Sequence, residues 1–144
     1  PNANLSCDMI CGFPDESEQD FHDSVSFIRD AEILHAHIFP YSKRRGTRAA
    51  EFGGQIPENI KHERAAIMKK EAESVSNAAL EKYIGKQVLV LVEKINGTTA
   101  YGYTEHFVYV RCEVNDSVSV GDVIAVTLKK ENISILEDTE SSQK

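Results

Sequence analysis

The chain has 144 residues, 41% of them apolar and 27% charged, with 16 basic and 23 acidic side chains and a formal net charge of −7. The apolar fraction excludes wholesale disorder, and no apolar run approaches the ~18 residues of a membrane span, which argues against a membrane partner. Cys7, Cys11 and Cys112 are an odd number and too few for a disulfide framework, so the expected compartment is reducing and cytoplasmic. No secretory leader opens the chain, and because it starts without an initiator Met it is expected to be a piece of something longer. The charge is unevenly spread: residues 1–42 carry −7, residues 43–86 carry +4 and residues 87–144 carry −4. Overall acidity argues against indiscriminate nucleic-acid binding. The middle segment, however, opens with Lys43, Arg44, Arg45 and Arg48, which is either a phosphate-facing patch or a solvated loop and helix face.

Residues 5–13 are mostly apolar and stop at Pro14, which predicts a buried strand. Ser17 suits an N-cap, and Phe21, Val25 and Ile28 then recur at helical spacing over about 13 residues. Glu18 and Asp20 fall in the first turn, where the helix dipole favours acids. Residues 33–41 are a second strand candidate, so strand, helix and strand predict a parallel βαβ unit. Residues 42–56 read as a Gly-rich charged loop. Pro57 opens a helix expected to run to about residue 84 and end at Gly85. Its narrow apolar seam (Ile60, Ile67, Met68, Val75, Ala79) predicts a connecting helix on a surface.

From Lys86 the period changes. Residues 88–92, 98–103, 107–114, 123–128 and 133–136 predict short strands, with Asn96-Gly97 as a hairpin turn. Five such strands suggest a small closed antiparallel barrel. The polar tail 138–144 is expected to be disordered. The fold class is therefore α/β plus all-β: a βαβ slice at 1–42, a basic loop and connecting helix at 43–85, and a five-stranded β-barrel at 86–137. A lone βαβ unit has open edges and a bare face, which predicts rearrangement, disorder or self-association through those edges.

No hydrolase signature or Walker loop is present. Cys7 and Cys11 match the first two positions of CxxxCxxC, but position 14 is Pro14, so no metal ligand set is assigned and both thiols are expected to pack as small apolar groups. His35 and His37 share one strand face without a completing ligand. Asp8 is either a buried structural acid or faces a polar ligand. Residues 12–16 and 41–47 follow the carboxyl ends of the two parallel strands, where α/β folds place ligands. In the barrel, Tyr101, Tyr103, Phe107 and Tyr109 alternate along neighbouring strands. They are either stacking platforms for bases, with Lys94, Arg111, Lys129 and Lys130 on phosphates, or core filling.

These residues resemble a known family. Asp8-Met-Ile-Cys-Gly-Phe-Pro-Asp-Glu-Ser is similar to the Asp-Ile-Ile-Val-Gly-Phe-Pro-Gly-Glu-Thr stretch on the fifth barrel strand of radical S-adenosylmethionine methylthiotransferases. His37-Ile-Phe-Pro-Tyr-Ser-Lys-Arg-Arg-Gly-Thr-Arg-Ala-Ala50 resembles the sixth strand and its Tyr-Ser-x-Arg-x-Gly-Thr-x-Ala loop. Gln55-Ile-Pro with Lys61-His-Glu-Arg matches the connecting helix, and the barrel is similar to the tRNA-binding TRAM domain. The likeness is greatest to the branch that methylthiolates threonylcarbamoyladenosine beside the tRNA anticodon. Asp15, Ser17 and Arg48 depart from the family's usual Gly, Thr and Pro.

The resemblance implies the C-terminal part of an enzyme that uses two 4Fe-4S clusters and S-adenosylmethionine. The CxxxCxxC segment belongs to a missing N-terminal part, so the chain has no catalytic residue or cofactor of its own and is expected to be inactive alone. It further implies that Ile10, Gly12, Phe39, Pro40 and Tyr41 contribute to the S-adenosylmethionine rim. The implied partner is a tRNA anticodon stem-loop, met by Lys43, Arg44, Arg45, Lys94, Tyr101, Tyr103, Arg111 and Lys129. The alternatives are a non-catalytic RNA-binding module and a sister enzyme that modifies a ribosomal-protein aspartate.

Overall fold

The computed structural model describes residues 4–133. The chain divides into two compact units, one ending at Glu81 and one beginning at Lys82. Among the described residues no helix is long and apolar enough to cross a membrane.

In the first unit, β1 (Leu5–Cys11) and β2 (Ile33–Pro40) pair in parallel, joined by α1 (Glu18–Asp30). Ser17 caps α1 as expected. Its Oγ accepts from the Asp20 N–H (3.1 Å) and Asp20 Oδ2 accepts from the Ser17 N–H (2.9 Å), a reciprocal box. A short helix α2 (Arg48–Glu51) precedes α3 (Glu58–Glu81). Strand alternation sends Cys7, Met9 and Cys11 of β1 and Ala36 and Ile38 of β2 to one face. There they meet Phe21, Val25 and Ile28 of α1 and Ala65, Met68, Ala72 and Val75 of α3. The expected surface role of α3 is thus corrected: its small residues let it lie close over the sheet, and Met68 is fully buried. Two of its charged residues, Lys61 and Arg64, are buried as well, so its real inward face is wider than its apolar seam. The other face of the sheet stays bare. It carries Asp8, which is exposed rather than a buried structural acid, with Ile10, His37 and Phe39.

In the second unit, β3 (Gln87–Asn96), β4 (Thr99–Thr104), β5 (Tyr109–Glu113) and β6 (Val123–Thr127) form an antiparallel sheet in the order β5-β4-β3-β6. Gly97, at φ 60°, opens the β3–β4 turn and Asn96 pairs with Thr99. A bulge between Val92 and Lys94 bends β3, and the sheet curls over Val88, Val90, Val92, Ala100, Val110, Cys112 and Leu128. The described residues therefore hold four strands of a half-barrel, with one isolated antiparallel bridge from Val110 to Ile133. The rest of the expected fifth strand and the tail 138–144 lie outside the described residues.

Gly102 sits opposite Val92, and a Cβ there would run into the Leu91 carbonyl. Because that neighbour is backbone it cannot swing away, so Gly102→Ala should lower the stability of the second unit by at least ~2 kcal/mol. Urea unfolding followed by Tyr fluorescence measures this, and an unchanged midpoint would refute the close approach. Burial pushes the thiols of Cys7, Cys11 and Cys112 above their ordinary pKa, which lowers their thiolate fraction. All three should react slowly with a disulfide reagent at pH 8 in the native chain and rapidly in urea; fast native labelling would contradict the packing.

Candidate functional site

The carboxyl ends of β1 and β2 bring the predicted rim residues together. Ile10 pairs with Phe39 and Cys11 with Pro40, and the Tyr41 N–H donates to the Cys11 carbonyl at 2.8 Å. Ile10 and Phe39 lie side by side on the bare face, 60% and 52% exposed. They form a small apolar patch that no described helix covers. Gly12 turns the chain away at φ 72°. Tyr41 is buried: the Phe13 ring meets its edge at 5.2 Å, and the Lys61 ammonium lies 5.3 Å from its centroid. Its hydroxyl has no hydrogen-bond partner among the described residues. The Tyr41 ring lies on the Lys61 side of the sheet, so the strand ends present an exposed apolar pair, Ile10 and Phe39, on one face and a buried phenol on the other.

Charged groups of α3 hold the turn over residues 12–16 from below. Glu16 Oε2 accepts from the Gly12 N–H at 2.8 Å, and its Oε1 accepts from Arg64 Nη1 at 2.7 Å. Arg64 also donates to the Glu16 carbonyl (3.1 Å) and to Glu18, and lies 5.2 Å over the Phe21 ring. Burial works against its charge, but the bonds from Glu18 and Glu16 outweigh it and raise its pKa. Lys61, buried one turn earlier, pairs with Glu58 at 2.7 Å, and its stem fills the space beside Gly12.

The three departures from the family pattern have local explanations. Asp15 stands at φ 65°, a left-handed position that suits glycine and that Asp tolerates better than most residues. Its N–H donates to the Gly54 carbonyl at 2.9 Å. Ser17 caps as Thr would. Arg48 is the first residue of α2, where Pro is favoured but not required.

Cys7 and Cys11 face the helix-covered core, whereas His37 lies on the bare face. Among the described residues no three His, Cys, Asp or Glu side chains gather as a metal site. Lys43, Arg44 and Arg45 are exposed on the loop after Tyr41, shaped by Gly46 at φ 85° and by a Thr47 hydroxyl that donates to the Arg44 carbonyl at 2.8 Å.

On the second unit, the choice left open for the aromatic residues resolves toward the outer face. Tyr109, Tyr103, Leu91 and Val123 are cross-strand neighbours spanning all four strands, on the side opposite the buried Val90 and Val110. Tyr101 and Tyr103 are half-buried, and the Tyr109 ring centroid lies 6.5 Å and 4.8 Å from theirs. Burial first, then Glu93 and the two neighbouring phenols, push the Tyr109 hydroxyl up, so it stays neutral. Phe107 is not on a strand: it sits at φ 59° in the β4–β5 turn, 70% exposed. Lys94 is exposed, but Arg111 donates to the Glu131 carbonyl (3.3 Å) and Lys129 pairs with Glu131 (3.5 Å), so these two are already engaged. The residues missed by sequence reading are Leu89, Leu91 and Val123, exposed members of runs that looked continuously buried, and the paired cations of α3.

Gly12→Ala should destabilise the first unit by ~2–4 kcal/mol, through a disfavoured φ and a 2.5 Å approach to Lys61 Cγ. A double-mutant cycle with Lys61→Ala should recover about 1 kcal/mol, the steric part alone. Strict additivity would show that Lys61 does not crowd Gly12.

No family model matches the chain. Curated relatives do. A threonylcarbamoyladenosine tRNA methylthiotransferase of Chlamydia pneumoniae is 35% identical over 90% of the chain, and a tRNA-2-methylthio-N(6)-dimethylallyladenosine synthase of Clostridium botulinum is 36% identical over 92%. A threonylcarbamoyladenosine tRNA methylthiotransferase of Rickettsia prowazekii is 33% identical over 89%. The chain spans about 30% of the length of these relatives. With nine-tenths of its residues aligned at this identity, the chain is a homologue of the C-terminal part of tRNA methylthiotransferases.

Proposed function

We propose that this chain is the closing portion of a radical S-adenosylmethionine enzyme that methylthiolates threonylcarbamoyladenosine in tRNA. In this reading β1 and β2 are the last strands of the catalytic barrel, and the curled sheet is a TRAM module that grips the RNA. The observation that carries it is the meeting of Ile10, Gly12, Phe39, Pro40 and Tyr41 at adjacent strand ends, in a chain 35% identical to such an enzyme. When bound beside a reduced cluster, S-adenosylmethionine supplies the adenosyl radical. Ile10 and Phe39 would cover one face of its adenine, and the turn after Gly12 would bound the pocket. The cluster ligands would come from the rest of the enzyme.

RNA would be held by two unlike surfaces. The Tyr101, Tyr103 and Tyr109 face suits unstacked bases, while Lys43, Arg44 and Arg45 suit phosphates. A second reading, the dimethylallyladenosine branch, is supported by the 36% identity to the Clostridium enzyme. Nucleoside mass spectrometry of tRNA from cells lacking the gene separates the two. Loss of the methylthio group from threonylcarbamoyladenosine alone is the expected result. Loss from dimethylallyladenosine alone assigns the other branch, and no loss refutes both.

The chain should bind an anticodon stem-loop with affinity that falls as salt rises. Replacing Lys43, Arg44 and Arg45 with Ala should reduce the salt slope by about 2 to 3. Tyr103→Ala should weaken binding about tenfold, within the ~1–3 kcal/mol of a stacked base, and leave the slope unchanged. A salt-independent dissociation constant would remove the RNA role from the basic loop.

A further inference from the structure

We propose that Arg64 is a positioning residue for the S-adenosylmethionine rim, acting through Glu16 to hold the Gly12 turn in shape. This inference rests on the reading of the rim given above. The chain of contacts is continuous. Arg64 Nη1 holds Glu16 Oε1 at 2.7 Å, the other oxygen of the same carboxylate accepts from the Gly12 N–H at 2.8 Å, and the Glu16 N–H donates back to the Phe13 carbonyl at 3.0 Å. Gly12 directly follows Cys11, whose carbonyl accepts from the Tyr41 N–H, so the clamp reaches both strand ends of the rim.

The geometry of the guanidinium separates this role from that of a helix brace. A brace between α1 and α3 needs only Glu18 and the Phe21 ring. Arg64 instead forks, one terminal nitrogen to Glu16 and its carbonyl, the other to Glu18, and leaves its buried Nε without a partner. A side-on pair with a single carboxylate would have used Nε. The observed arrangement gives up that bond to span two acids, and the acid it buries is the one that holds the turn. The Glu16 side chain is 11% exposed against 74% for Glu18. Lys61 closes the space beside Gly12, so the turn has no room to relax toward α3.

Amide hydrogen exchange on the chain tests this. Arg64→Met and Glu16→Ala should each speed exchange at Gly12 and Glu16 at least tenfold, with less than threefold change at Ile28 and Met68. Glu18→Gln should leave Gly12 unchanged, and Arg64→Lys should restore part of the protection. Should Arg64→Met not fold, Glu16→Ala and Glu18→Gln still discriminate. A uniform rise across the unit, or equal effects of Glu16→Ala and Glu18→Gln, overturns the proposal. In the full-length enzyme, Glu16→Ala should raise KM for S-adenosylmethionine several-fold with kcat little changed. Local exposure of Gly12 with an unchanged KM would leave the clamp standing and overturn the rim reading on which it rests.

Discussion

A guanidinium removed from water has to be answered by carboxylates, and in the first unit that requirement organises everything near the strand ends. Arg64 lies on a helix whose apolar seam is too thin to specify its own placement. The pairing with Glu16 and Glu18 fixes its rotation about the sheet. Removing one partner of a buried ion pair typically costs ~3–5 kcal/mol, comparable to truncating a buried side chain such as Met68. With that rotation set, Lys61 falls beside Gly12, Met68 enters the core, and the loop from Tyr41 returns over the same end of the sheet.

The second unit is governed by backbone proximity instead. Its inner face is a row of small β-branched and Ala residues, and the curl demanded by the Val92–Lys94 bulge brings β4 so near the Leu91 carbonyl that only Gly102 fits. On the outer face Tyr109 lies directly across from Tyr103, with the Tyr101 ring next to it along β4.

Much of this was legible in the residues. Ser17 with Asp20 announced the helix cap, Asn96-Gly97 announced the first hairpin, and Pro14 and Pro40 marked the strand ends. The meeting of the two loops was also legible, because loops after parallel strands share one end by topology. Three features were not. Charged positions of α3 were assigned to solvent because periodicity ranks residues by polarity and is blind to a partner 48 positions away. The Val-Leu-Val-Leu-Val run of β3 hid its alternation, since both faces are apolar although Leu89 and Leu91 are exposed. Phe107 looked like a strand residue, but its left-handed backbone belongs to a turn whose amides are gathered by the Thr104 hydroxyl.

A sheet of only two parallel strands has a corollary. Neither β1 nor β2 has strand neighbours on both sides among the described residues, so each offers an unfinished ladder of amides and carbonyls. An extended peptide of matching pitch, supplied in trans, finds a ready seat there.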